Sequence, residues 1–132
     1  MFTNKVSNTV LVVDDDRAMW EVVRAILTRG GFKVITSSDA LEAWQILEES
    51  AEPIDLVIAE AEMPVIDSSE LLKRVREKYP DIPLVLIGGI EPWWIEVYIG
   101  EHVRFLQKPF APQVLVRVVR HALSRRSMRP SA

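Results

Sequence analysis

Five acidic side chains and one lysine carry most of the chemistry open to this sequence. Asp14, Asp15 and Asp16 follow the apolar run Val10-Leu11-Val12-Val13. Glu60 and Glu62 follow a second run, Ile54 to Ala59, and Lys108 comes just after a third, Val103 to Leu106. Two or three carboxylates converging on one point hold a hard cation such as magnesium, which prefers oxygen ligands and keeps several waters. A lysine opposite them pairs with the anion such a cation attracts, commonly a phosphate. Carboxylates, metal and lysine therefore outline a phosphoryl site, and the residue types alone reach no further.

Strand-like and helix-like segments alternate around these positions. After Val10–Val13, the residues Met19, Val22, Val23, Ile26 and Leu27 recur at helical spacing until Gly30-Gly31 stops the helix. Phe32 to Thr36 reads as a second strand. Asp39 with Glu42 makes a capping box ahead of the stripe Ala40, Ala43, Trp44 and Leu47. Pro53 precedes a third strand at Ile54 to Ala59, and Asp67 with Glu70 caps a helix that buries Leu71, Leu72 and Val75. The run Ile82 to Ile87 is apolar throughout, as in a strand covered on both faces. Val103 to Leu106 is a short fifth strand, and Val114, Leu115, Val118, Val119, Ala122 and Leu123 mark a last helix.

Five strands alternating with helices, without hairpin turns, predict an α/β fold with a parallel sheet covered on both faces. Ligand sites in such sheets form beyond the carboxyl ends of the strands. The residues expected there are Asp14 to Asp16, Glu60 to Glu62, Gly88-Gly89 and Gln107-Lys108-Pro109.

Composition sets the outer bounds. The 132 residues suffice for one domain with a full core and not for two. Cysteine is absent, which excludes disulfides, thiolate metal sites and cysteine nucleophiles. No apolar run approaches the roughly 20 residues that span a bilayer, and Met1 to Thr9 lacks the apolar stretch of a secretory signal. A cytoplasmic location is expected. All 19 acidic residues lie at or before Glu101, whereas Arg117, Arg120, Arg125, Arg126 and Arg129 follow with no acid among them. Five arginines along one helix make a small electrostatic footprint, so a solvated helix face is favoured over nucleic-acid binding.

Three segments resemble the response-regulator receiver domains of two-component signalling. Val10-Leu11-Val12-Val13-Asp14-Asp15-Asp16 is similar to the family's first strand with its acidic pair. Asp55-Leu56-Val57-Ile58-Ala59-Glu60, followed by Met63-Pro64, resembles the third strand and its Met-Pro. Phe105-Leu106-Gln107-Lys108-Pro109-Phe110 resembles the fifth strand with its Lys-Pro-Phe ending. The resemblance implies a flavodoxin-like, doubly wound sheet of five parallel strands in the order 2-1-3-4-5. The receiver would cover residues 9–126, with 1–8 as a flexible N-terminus and 127–132 as a tail or the start of a linker.

The family's roles carry over unevenly. Asp14 and Asp15 match the magnesium-holding pair, Lys108 matches the lysine that contacts the phosphoryl group, and Phe105 matches the switch aromatic. Glu60 stands where the family has its phospho-accepting aspartate, and Gly88 where it has a Ser or Thr hydroxyl. Val65 and Ser68 replace glycines usual in the following loop, and Glu62 sits where a backbone carbonyl ligates the metal. Asp14, Asp15, Glu60 and Glu62 are thus the candidate magnesium ligands, with binding weakened or absent.

Glutamate reaches about 1.5 Å further than aspartate, one carbon–carbon bond. In-line phosphoryl transfer depends on close positioning and on charge stabilisation, so that displacement pushes the nucleophile into the phosphoryl space. Glycine at 88 removes a donor to the same group. Loss or great slowing of phosphorylation is expected, with Glu60 instead reaching Lys108. Whether Glu60 neutralises itself on that lysine or still holds magnesium is open from sequence.

From Gly88 to Gly100 the chain is about one helical turn, roughly 3.6 residues, shorter than the resemblance implies. Glu91-Pro92-Trp93-Trp94-Ile95-Glu96-Val97-Tyr98-Ile99 reads as a short, strongly apolar helix begun by Pro92. In receivers the face of the fourth helix, fifth strand and fifth helix serves output and dimerisation. Trp93, Trp94 and Tyr98 are therefore the candidate interaction face, with at least one tryptophan exposed, while Trp20 and Trp44 are packing residues. The function expected is a signalling module working by protein–protein interaction with a histidine kinase or another signalling protein, and with homodimerisation through that face. The alternatives are a working phospho-receiver and a small magnesium-dependent phosphohydrolase; no added acid/base residue supports the latter.

Overall fold

The computed structural model describes residues 8–63, 68–95, 99–100 and 103–127. Among them the elements run β1 (Thr9–Val13), α1 (Arg17–Arg29), β2 (Lys33–Ser37), α2 (Ala40–Glu49), β3 (Leu56–Glu60), α3 (Ser68–Lys78), β4 (Leu84–Gly88), β5 (Val103–Gln107) and α4 (Pro112–Ser127). The strands form one parallel sheet in the order β2-β1-β3-β4-β5, the doubly wound order expected. Element boundaries move by one or two residues from the sequence reading. The largest shifts are at β3 and β4, which begin at Leu56 and Leu84 rather than Ile54 and Ile82.

Residue alternation along the strands divides the interior in two. Leu11, Val13, Val57, Ala59, Leu84 and Leu86 face α2 and α3, meeting Ala40, Ala43, Leu71, Leu72 and Val75. Val10, Val12, Leu56, Ile58, Val85 and Ile87 face the other way, meeting Val23 and Leu27 of α1 and Leu115 and Val119 of α4. Every residue of β1, β3 and β4 is buried, whereas β2 and β5 are partly exposed edges. The central strands therefore read as unbroken apolar runs and the edges do not. Each fully buried leucine, such as Leu11, Leu72 or Leu115, contributes about 1.5–3 kcal/mol by leaving water.

Capping fixes where the helices begin. Asp16 is the N-cap of α1, its side chain accepting from the Ala18 amide at 3.0 Å. Asp39 caps α2 by accepting from the Glu42 amide at 2.7 Å. The reciprocal half of that box reaches one residue further back than expected, with Glu42 accepting from the Ser38 amide at 3.1 Å. Asp67, read with Glu70 as a second capping box from sequence, lies outside the described residues. No helix among the described residues is long and apolar enough to cross a membrane.

Candidate functional site

Sheet order places the ends of β1 and β3 side by side, where successive connections diverge to opposite edges, and this is where crevices form in doubly wound sheets. Asp14 follows β1 and is buried, its Oδ1 accepting from the Asp16 amide at 2.8 Å. Glu60 is the last residue of β3 and only 6% exposed. Lys108 follows β5, its own amide donating to the Gly88 carbonyl at 2.8 Å. Asp14, Glu60 and Lys108 thus stand at the carboxyl ends of β1, β3 and β5, as expected from their order in the sequence.

The longer side chain of Glu60 meets the lysine. Lys108 Nζ stands 2.5 Å from Glu60 Oε2, with the lysine side chain 32% exposed and the glutamate 6%. The contact joins opposite charges at hydrogen-bond distance. Glu60 Oε1 accepts from the Glu62 amide at 3.3 Å. The Glu60 backbone carbonyl accepts from the Ser68 hydroxyl, which is buried at the start of α3. Partial burial of Lys108 works against its charge. Its close contact with Glu60 and the charges of Glu60, Asp14 and Glu62 outweigh that, and hold the ammonium above the ordinary lysine pKa.

Asp14 shows the opposite balance. Burial, the largest influence, pushes its pKa up to about 6 from 3.8. The Asp16 amide and Lys108 pull it down, while the charges of Glu60 and Asp15 add to the rise. Asp15 is exposed, and Asp16 is committed to capping α1.

The four carboxylates proposed as magnesium ligands do not gather into a cage. Among the described residues no group of three or more acidic or histidine side chains is placed to hold a metal ion. The reason is visible in the contacts: Glu60 turns to Lys108 and the Glu62 amide, and Glu62 reaches across to the Gly89 amide at 3.4 Å. Glu60 and Glu62 are thus turned to donors of the chain itself rather than to a common point.

Gly88 ends β4 beside this pair. A Cβ built there would lie 2.8 Å from Ala61 Cβ, 3.5 Å from Phe105 Cε1 and 3.8 Å from Glu60 Oε1. Phe105 is half-buried against the core on the α2–α3 side of the sheet. Sequence reading missed Ala61, which the fold sets against position 88, and the Ser68 hydroxyl, whose only trace was a polar residue in place of a usual glycine.

The family model for the response regulator receiver domain matches residues 10–120. The chain belongs to the response-regulator receiver family. This receiver is 34% identical to a chemotaxis protein CheY homolog of Campylobacter jejuni, over 80% of this chain and 85% of that protein. It is also 34% identical to the C4-dicarboxylate transport transcriptional regulatory protein DctD of Pseudomonas aeruginosa, over 90% of this chain and 26% of that protein. The DNA-binding transcriptional regulator NtrC of Rhizobium meliloti is 30% identical over 93% of this chain, which spans 25% of its length. Several curated relatives are thus about four times the length this receiver covers. Among solved structures, the signal receiver domain of an HD domain-containing protein from Pseudomonas fluorescens Pf-5 superposes with a TM-score of 0.83 at 27% identity, covering 96% of this chain and 94% of that one.

The tryptophan-rich segment read as a candidate interaction face is described only in part. Trp93 is 74% exposed, while Trp94 is half-buried and packs against the core with Ile95 and Ile99. Tyr98 lies outside the described residues, as do Glu96 and Val97 of the short helix expected there. Trp20 and Trp44 are half-buried packing residues on opposite sides of the sheet.

Proposed function

We propose that this receiver works by protein–protein interaction in a conformation that phosphate does not set. The observation that carries the reading is the Lys108–Glu60 pair. The lysine that would meet a phosphoryl oxygen is held 2.5 Å from a carboxylate of the chain itself. A donor to the same group is missing at Gly88, and the Glu60 carboxylate brings one negative charge where a phosphorylated side chain brings nearly two. The site is accordingly fixed rather than switched, and it has no catalytic role. The partner is a histidine kinase or another cytoplasmic signalling protein, or a second copy, engaged through the surface that includes exposed Trp93.

Incubation with acetyl phosphate and magnesium, followed by intact-mass measurement, tests the reading. No added phosphate is the expected result. Stoichiometric phosphate mapped to Glu60 overturns it in favour of a working phospho-receiver. Calorimetric titration with magnesium complements the measurement: no saturable binding is expected at millimolar ion, and the Glu60→Asp variant, withdrawn from Lys108, should bind more tightly.

A further inference from the structure

Three positively polarised groups converge at the strand ends: the Lys108 ammonium, the Glu62 amide and the Gly89 amide. Each meets a carboxylate oxygen supplied by the chain. Glu60 Oε2 lies 2.5 Å from Lys108 Nζ, Glu60 Oε1 accepts from the Glu62 amide at 3.3 Å, and Glu62 Oε1 accepts from the Gly89 amide at 3.4 Å. A trio of this kind suits an oxyanion with several oxygens. Two side chains of the β3–α3 link provide those oxygens here. The substitution at Glu60 accounts for the first two contacts and leaves the third to Glu62.

Gly89 is held from its other side as well. Its carbonyl accepts from Gln107 Nε2 at 3.0 Å, and the preceding Gly88 carbonyl accepts from the Lys108 amide. The first residue beyond β4 is thereby pinned at its amide by the end of β3 and at its carbonyl by the end of β5. Among the described residues a Cβ on Gly89 would meet only Glu62 Oε1, at 3.6 Å, so the carboxylate lies over this backbone.

We propose that Glu62 is a positioning residue. Its carboxylate tethers the Gly89 amide and sets the path of the segment leaving β4, which displays Ile90 at 79% and Trp93 at 74% exposure, without any added anion. Glu60 neutralises the lysine and Glu62 orders the loop, a division of labour between two carboxylates. The inference rests on the phosphate-independent reading above and deepens it.

Hydrogen exchange of the Gly89 amide with water, followed by NMR on the full chain, tests it. Glu62→Ala should speed exchange at Gly89 roughly three- to tenfold, the effect of losing one hydrogen bond, with Ile87 unchanged. Glu62→Gln keeps an acceptor oxygen at the same reach and should restore slow exchange. Wild-type exchange in the Ala variant, or Ala-like exchange in the Gln variant, overturns the proposal. Phosphate uptake by the wild-type chain from acetyl phosphate is read separately. A mass gain there sinks the phosphate-independent reading, whereas unchanged Gly89 exchange with no mass gain sinks the tether alone.

Discussion

Ala61 and Gly88 stand so close that only one of them has room for a side chain: a Cβ on Gly88 would fall 2.8 Å from the Cβ of Ala61. The missing hydroxyl at position 88 is therefore coupled to the residue that follows Glu60. Gly88→Ser alone should destabilise the domain by about 1–3 kcal/mol through overpacking. Adding Ala61→Gly should recover part of that loss, so urea unfolding of the two single variants and the double should show non-additivity. Strict additivity would mean that the backbones part freely and the crowding has no energetic weight.

Removing the lysine should be costly because its partner cannot reach water. Lys108→Ala leaves Glu60, 6% exposed, without its cation. Breaking a fully buried pair costs about 3–5 kcal/mol; with the lysine one-third exposed, about 2 kcal/mol is expected. Pairing Lys108→Ala with Glu60→Gln should return most of the stability, measured by denaturant midpoint.

Asp14 makes stability depend on pH in a definite direction. Its pKa is about 6 in the folded chain against an ordinary 3.8. As pH rises, the unfolded chain gives up this proton first, so the folded state loses ground from about pH 4 to pH 6 and stays lower above. Asp14→Asn keeps the oxygen that accepts from the Asp16 amide and removes the buried charge. It should be more stable than wild type by about 1–2 kcal/mol at pH 8, with the gap closing near pH 4. Thermal melts across that range in magnesium-free buffer give the comparison, and a gap that widens toward acid would reverse the assignment.

The tryptophans should separate by role. Trp44 lies 6.2 Å from the Tyr79 ring, with Lys78 and Arg74 at 5.8 and 6.0 Å from its own ring. Trp44→Ala should cost about 2–4 kcal/mol. Trp93→Ala, on an exposed side chain, should change stability by about 0.5 kcal/mol or less while weakening partner binding. Unfolding midpoints and sedimentation across a concentration series distinguish the two effects.

Much of this arrangement was readable from residue order. Uninterrupted apolar runs announced the central strands because burial on both faces removes the alternation that would otherwise mark a strand. Asp14, Glu60 and Lys108 were legible because each directly follows or closes such a run, and parallel strands bring those ends together. Contacts set by register between neighbours were not. Ala61 faces Gly88 only because Ala59 and Glu60 pair with Leu86 and Ile87, and nothing in an alanine signals that. The paths of the acidic side chains were not legible either, since carboxylates close in sequence turn to separate donors. Helical periodicity left Trp93 and Trp94 undivided, because neighbouring positions on a short apolar stretch differ only through what the sheet offers beneath them.

The sheet also acts as a partition. Ala59, Leu86 and Phe105 pack on the α2–α3 side, while α1 and α4 rest on a separate layer built from Val12, Ile58 and Ile87. A change of side-chain volume on one floor then leaves the helices of the other in place.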